Sequence, residues 1–186
     1  IRGLSLDLND QPVANIAWQD AALFCNWLSE KENLPKFYNV LGDRVTSINW
    51  DSNGYRLPTE SEWSWVAKVT KAGSTKVFPW NSPSYPPPFV SGNYADESAK
   101  SMLPFTISNY NDSFPVSASV GSFRPNEKGI FNLSGNVAEW VNDFYEIRVN
   151  KSEPLVDYRG PNTGNRHVIR AVSYTHLRAH ETIANL

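Results

Sequence analysis

In the stretch N-L-S-G-N-V-A-E, Asn132 and Glu139 offer side-chain oxygens, while Gly135 and Val137 offer backbone carbonyls. A hard cation such as calcium takes about six to eight oxygens from carboxylates, amides and carbonyls. If the segment is extended, the Gly135 and Val137 carbonyls face one side, because direction repeats every two residues. Gly135 also permits a sharp entry turn. Spacing alone favours a plainer arrangement, a turn at Gly135-Asn136 with Glu139 as a solvated acid.

The soft and nucleophilic residues are few. Cys25 is the single cysteine, so it forms no internal disulfide and fixes no redox compartment. It falls on an apolar helix face with no acidifying neighbour, which reads as an inert buried thiol. His167 is one of three histidines, and the other two, His176 and His180, lie near the C-terminus. There Val172 to Thr182 reads V-S-Y-T-H-L-R-A-H-E-T. Its back-translation fits a transposon-type sequencing adaptor. Residues 172–186 are therefore read as an artefactual tail without a domain. Setting them aside leaves His167 as a strand or loop residue facing neighbours or water. With no Met at Ile1, the chain reads as one domain over residues 1–171, trimmed at both ends.

The elements that must position these groups are short. Trp18, Ala21, Ala22, Cys25 and Leu28 recur at helical spacing and predict a helix over 19–31, with Asp20 favourable near its start. Asn33-Leu34-Pro35 ends it. Residues 36–53 read as a hairpin or irregular pair, with a strand over 45–50 and a turn at 51–54. Thr59 and Glu62 form a capping-box pattern, so a second helix begins there and runs to about Val69. Lys71-Ala72-Gly73 closes it. Arg56 is expected to pair with Glu60, Glu62 or Glu139. Trp63, Trp80 and Trp140 are expected in the core. Tyr85-Pro86-Pro87-Pro88 reads as a packed loop flanked by aromatics. Short extended pieces are expected over 13–16, 116–123, 141–145 and 167–170.

Bulk composition excludes several classes. A net charge of −2 gives no case for nucleic acid or an anionic membrane surface. No run approaches the ~18 apolar residues of a spanning helix. Seven Trp, eight Tyr and nine Phe beside thirteen Pro and ten Gly point to short elements and long ordered loops pinned by aromatics.

Two strings narrow the class: G-Y-R-L-P-T-E-S-E-W, Gly54 to Trp63, and G-I-F-N-L-S-G-N-V-A-E-W, Gly129 to Trp140. In this order and spacing they resemble the signature of the sulfatase-modifying-factor family, also called the formylglycine-generating-enzyme family. The resemblance covers Pro12 to Arg170. It implies an α+β fold similar to C-type lectins, with two main helices, short strands and long ordered loops. It implies structural calcium at Asn132, Gly135, Val137 and Glu139. It also implies a second calcium site, with side-chain oxygens from Asn93 and Asp112 and carbonyls from Tyr94 and Phe114. The family often has glycine where this chain has Ser113, and an ordinary Asn-Asp-Ser turn is the alternative there.

The family's oxidases use a C-terminal cysteine pair that binds copper and oxidises a cysteine of a protein or peptide substrate. Soft thiolates suit Cu(I). The pair would follow an R-G-G-S motif beginning at Arg170, where the adaptor-like segment stands, so copper is implied only if those cysteines exist. Non-haem iron chemistry needs three histidines that residues 1–171 lack. The other reading is a non-catalytic binding or scaffold module. Ala138, where the oxidases more often carry a hydrophobic or aromatic residue, tilts towards that reading.

Overall fold

The computed structural model describes residues 4–6, 8–80, 82–147, 157–171 and 182–185. The adaptor-like residues 172–181, among them Tyr174, His176, Arg178, His180 and Glu181, lie outside the described residues. The order of elements is α1 (Trp18–Lys31), β1 (Tyr38–Leu41), β2 (Arg44–Ile48), α2 (Glu60–Lys68), a 3-10 turn (Glu97–Ala99), β3 (Glu139–Phe144), β4 (Arg166–Arg170) and β5 (Thr182–Asn185). This is the expected α+β composition of two helices, short strands and much ordered loop. The chain divides into two compact units, each taken by itself below.

One unit comprises Asn15–Ser61, Trp140–Ile169 and Thr182–Leu186. Helix α1 buries Trp18, Ala22, Cys25, Asn26 and Ser29. Asp20 reaches back to the Ala17 amide at 3.0 Å. At the other end Asn33 turns left-handed at φ 57°. The Leu34 amide then bonds the Ser29 carbonyl at 2.8 Å and the Asn33 amide bonds Glu30 at 3.2 Å. These two bonds are a Schellman stop, which satisfies carbonyls the helix leaves open.

Trp18, Ala22, Cys25, Phe37 and Tyr38 form the core of this unit, with Val45, Ile48, Trp50, Leu57 and Trp140 packed against it. Phe37 meets Tyr38 and Trp50 edge-on, both at 5.0 Å between centroids. Such pairs contribute about 0.5–1.5 kcal/mol each beyond area burial. The Asn26 side chain bonds both backbone groups of Tyr38, at 2.7 and 3.1 Å, and so fixes α1 to the start of β1. Strands β1 and β2 form an antiparallel hairpin with a register shift between Asn39 and Val40. A second sheet has the order β3-β4-β5, with β4 and β5 antiparallel.

Gly54, the first residue of the earlier signature string, is a close-approach position. A Cβ there would lie 2.0 Å from the Pro35 carbonyl oxygen and 2.8 Å from Ser29 Oγ. Glycine is required by contact here, not by a positive φ.

The other unit comprises Ile1–Ala14, Glu62–Glu139 and Arg170–Glu181. Its core includes Trp80, Tyr94 and Tyr110, with Phe78 and Ile107 packed on them. Phe78 and Trp80 stack at 4.4 Å, their rings lie 6.1 and 6.4 Å from Tyr85, and the Trp80 indole donates to the Ser84 carbonyl at 3.0 Å, so aromatics hold the start of the proline-rich loop as expected. Two of the short extended expectations fail. Residues 13–16 are irregular chain with one bend at Asn15, and residues 116–123 are irregular chain with bends and a turn; neither has strand pairing among the described residues. Asn136 takes the place of a strand partner for the second segment, bonding both backbone groups of Ala118 with its side chain.

Candidate metal centre

The stretch from Asn132 to Val137 is a run of turns and bends that becomes extended at Ala138 and enters β3. It is not a helix, and it is more sharply turned than the extended segment expected. Asn132 is left-handed at φ 60° and its carbonyl accepts the Gly135 amide at 3.0 Å. Asparagine tolerates that conformation better than most residues. The turn buries Leu133, Ser134 and Gly135. Asn132 Oδ1 is buried with no hydrogen-bond partner. An orphaned buried oxygen costs about 1–3 kcal/mol and asks for a donor or a cation.

Glu139 closes the segment. Its Oε2 accepts the indole N–H of Trp63 at 2.6 Å. Burial raises the Glu139 pKa, and the Trp63 bond opposes that shift. The carboxylate is thus held in a place that disfavours its charge, a state that a nearby cation relieves. The Arg56 guanidinium lies 5.5 Å from the Phe37 and Trp50 ring centres and donates to the Leu57 carbonyl.

The second set of expected ligands also lies together. Asp112 is buried, and its two oxygens accept the Tyr94 amide at 2.7 Å and the Phe114 amide at 2.8 Å. Burial pushes its pKa up to about 7; the two amides oppose this, and neighbouring Asp96 adds to it. Asp96 is fully buried, accepts the Asp112 amide, and also accepts the Ser98 amide at 2.8 Å and hydroxyl at 2.6 Å. Ser113 is left-handed at φ 71°. That backbone explains why glycine would sit comfortably at this position. Asn93 donates both of its described amide bonds, to Val116 O at 2.6 Å and Asn136 Oδ1 at 3.2 Å. Its own oxygen is thereby turned away from those acceptors.

Each expected quartet therefore sits on one loop system within a single unit. Among the described residues no group of three or more His, Cys, Asp or Glu is arranged for a metal. A cation here would depend on amide and carbonyl oxygens, which suits a hard ion and not a soft one. Sequence reasoning missed Asp96, Asn136 and Trp63 as the groups that orient these oxygens. The N-Y-A-D spacing was the available signal for Asp96. Trp63 and Asn136 gave none, because their contacts span long sequence separations.

Cys25 is buried on α1 and burial raises its thiol pKa. It is an inert packed thiol, as expected, and one thiol does not make the pair that copper would need. His167 stacks on Trp18 at 3.7 Å and on Phe144 at 4.3 Å, with Nδ1 3.2 Å from the Asn142 carbonyl oxygen. Burial lowers its pKa to about 4, so the ring is neutral near pH 7. In the same unit a cavity of about 1070 Å³ is lined by Trp18, Trp50, Trp140 and Phe144, with Arg44 and Arg159 among the polar lining groups.

Comparison with known proteins bears on the family and the fold. The sulfatase-modifying factor enzyme 1-like domain model matches residues 4–184. A formylglycine-generating enzyme from Streptomyces coelicolor is 28% identical over 165 residues, covering 89% of this chain and 42% of the relative. The chaperone protein LppX of Paenibacillus barcinonensis is 32% identical over 152 residues, covering 70% of this chain and 51% of the relative. The chain thus spans about half or less of the length of these relatives. Among solved structures, Treponema denticola variable protein 1 superposes with a TM-score of 0.67 at 25% identity, covering 95% of this chain and 66% of that one. The two signature strings, the fold and the family match converge, and the chain belongs to the sulfatase-modifying factor enzyme 1-like domain family.

Proposed function

We propose that this chain is the calcium-organised scaffold of a sulfatase-modifying-factor domain. Asn132, Gly135, Val137 and Glu139 would hold one calcium ion, and Asn93, Tyr94, Asp112 and Phe114 another. The observation that carries the reading is the buried, unpartnered Asn132 Oδ1 on the turn that leads into β3, whose first residue is the half-buried Glu139. Bound calcium would supply positive charge where both groups lack it, and would hold coil in place where strand pairing is absent.

The test is calorimetric titration of calcium into chelator-treated protein. Binding by calcium, with magnesium much weaker, is the expected result, because magnesium demands near-octahedral geometry and keeps its waters. No binding heat at any calcium concentration would sink the reading.

Oxidation of a substrate cysteine with copper is the activity of the oxidases in this family. The residues of this chain do not fit a copper pair, since Cys25 is single and buried. A second reading, a non-catalytic binding or scaffold module with a C-type-lectin-like fold, is favoured by the aromatic cavity around Trp18, Trp50 and Trp140. Gene sequence beyond Arg170 separates the two. Two cysteines a few residues apart favour the oxidase, and their absence favours the binding module.

A further inference from the structure

The two candidate cation loops share one side chain. The Asn136 backbone amide donates to the Asn93 carbonyl at 3.0 Å. Its Oδ1 accepts Asn93 Nδ2 at 3.2 Å and the Ala118 amide at 2.7 Å, while its Nδ2 donates to the Ala118 carbonyl at 3.0 Å. Ser134 adds a further bond between the loops, Oγ to the Ser91 carbonyl at 2.8 Å. Asn136 therefore lies between Gly135 and Val137 of one quartet and fixes Asn93 of the other. It adopts φ 85°, a backbone conformation set by its place in the turn.

The consequence is mechanical. Asn93 has one amide, and its two donors are committed to Val116 and Asn136. Their direction dictates where its oxygen points. Any adjustment of the Asn132–Glu139 turn on taking up an ion moves Asn136, and with it the orientation of Asn93. The reverse also holds, because coupling free energy is reciprocal.

We propose that Asn136 is a positioning residue that couples the two loops, so that a cation on either one raises the affinity of the other. This rests on the calcium reading above. A coupling of about fivefold or more is expected, the lower end of ordinary site–site coupling.

The experiment is a calorimetric cycle on the full chain with calcium alone as the probe. Affinity at the Asn132–Glu139 loop is measured with the second loop intact and with it disabled by Asp112→Asn; the ratio is the coupling. The cycle is repeated with Asn136→Gly, which removes the side chain without straining a positive φ, and with Asn136→Asp, which keeps the acceptor facing Asn93 and Ala118. Circular dichroism checks that each variant folds. The expected result is two bound ions, a ratio of at least about five that is retained in Asn136→Asp, and a ratio near one in Asn136→Gly. A purely structural role would weaken both sites and leave the ratio unchanged, which would overturn the proposal. So would two ions with a ratio near one in the unmutated chain, while leaving the calcium reading intact. Should Asn136→Gly fail to fold, the unmutated chain and Asn136→Asp decide, and loss of coupling in Asn136→Asp counts against Asn136. Absence of any bound calcium would instead remove the reading beneath it.

Discussion

Trp63 donates its indole N–H to Glu139 Oε2 at 2.6 Å, although 76 positions separate the two residues. The bond joins the last residue of one signature string to the acid near the end of the other. It holds one carboxylate oxygen and fixes the orientation of the second. Trp63 is thus both a buried core residue and the support for the candidate ligand.

Trp63→Phe keeps most of the ring packing and removes this donor. We expect a loss of roughly 1.5–3 kcal/mol, the range for a hydrogen bond to a charged group. Chemical denaturation measures it. Calcium affinity should fall in the same variant, and an unchanged affinity would show that Glu139 needs no such support.

Gly54→Ala places a methyl group within 2.0 Å of the Pro35 carbonyl oxygen. The obstacle is backbone, so no rotamer change relieves it. A loss of at least about 3 kcal/mol is expected, at or beyond the upper end of ordinary overpacking. A denaturation midpoint within error of the parent would contradict the close approach.

His167 gives a pH dependence of defined sign. Folded, it titrates near 4 because it is buried, against an ordinary value of 6.5. Above pH 6.5 both states are neutral and the group contributes no slope. Between 6.5 and 4 the unfolded chain binds a proton that the folded chain refuses, so stability falls as pH drops, by on the order of 3 kcal/mol in total. His167→Phe retains an aromatic ring between Trp18 and Phe144. The difference in unfolding free energy between parent and variant should shift by about that amount between pH 7 and pH 4. Parallel pH profiles would place His167 elsewhere.

Local patterns were legible in the sequence. The apolar spacing of Trp18, Ala22 and Cys25 marked α1, and Asn33-Leu34-Pro35 marked its end through Pro35, because helix periodicity and proline stops are short-range effects. The start of α2 was placed at Thr59, but Asp143, which accepts the Glu60 amide at 2.8 Å from 83 positions away, could not be foreseen. Nor could the bonding of Asn136 to Ala118, which replaces the strand expected over 116–123. Of the candidate site, the family resemblance named Asn132 and Glu139, where spacing alone favoured a plain turn. The indole on Glu139 and the bond from the Asp112 amide to Asp96 required the folded chain, since each depends on contacts between separate segments.

Thermal melting of chelator-treated protein, with and without calcium, tests the central claim most directly, run beside Asn132→Ala and Glu139→Gln. Calcium at about a hundred times its dissociation constant contributes about 2.7 kcal/mol, which for a chain of this size raises the melting temperature by roughly 5–10 °C. The account predicts that rise in the parent and a clearly smaller one in both variants. Identical melting with and without calcium, or an undiminished rise in both variants, would contradict it.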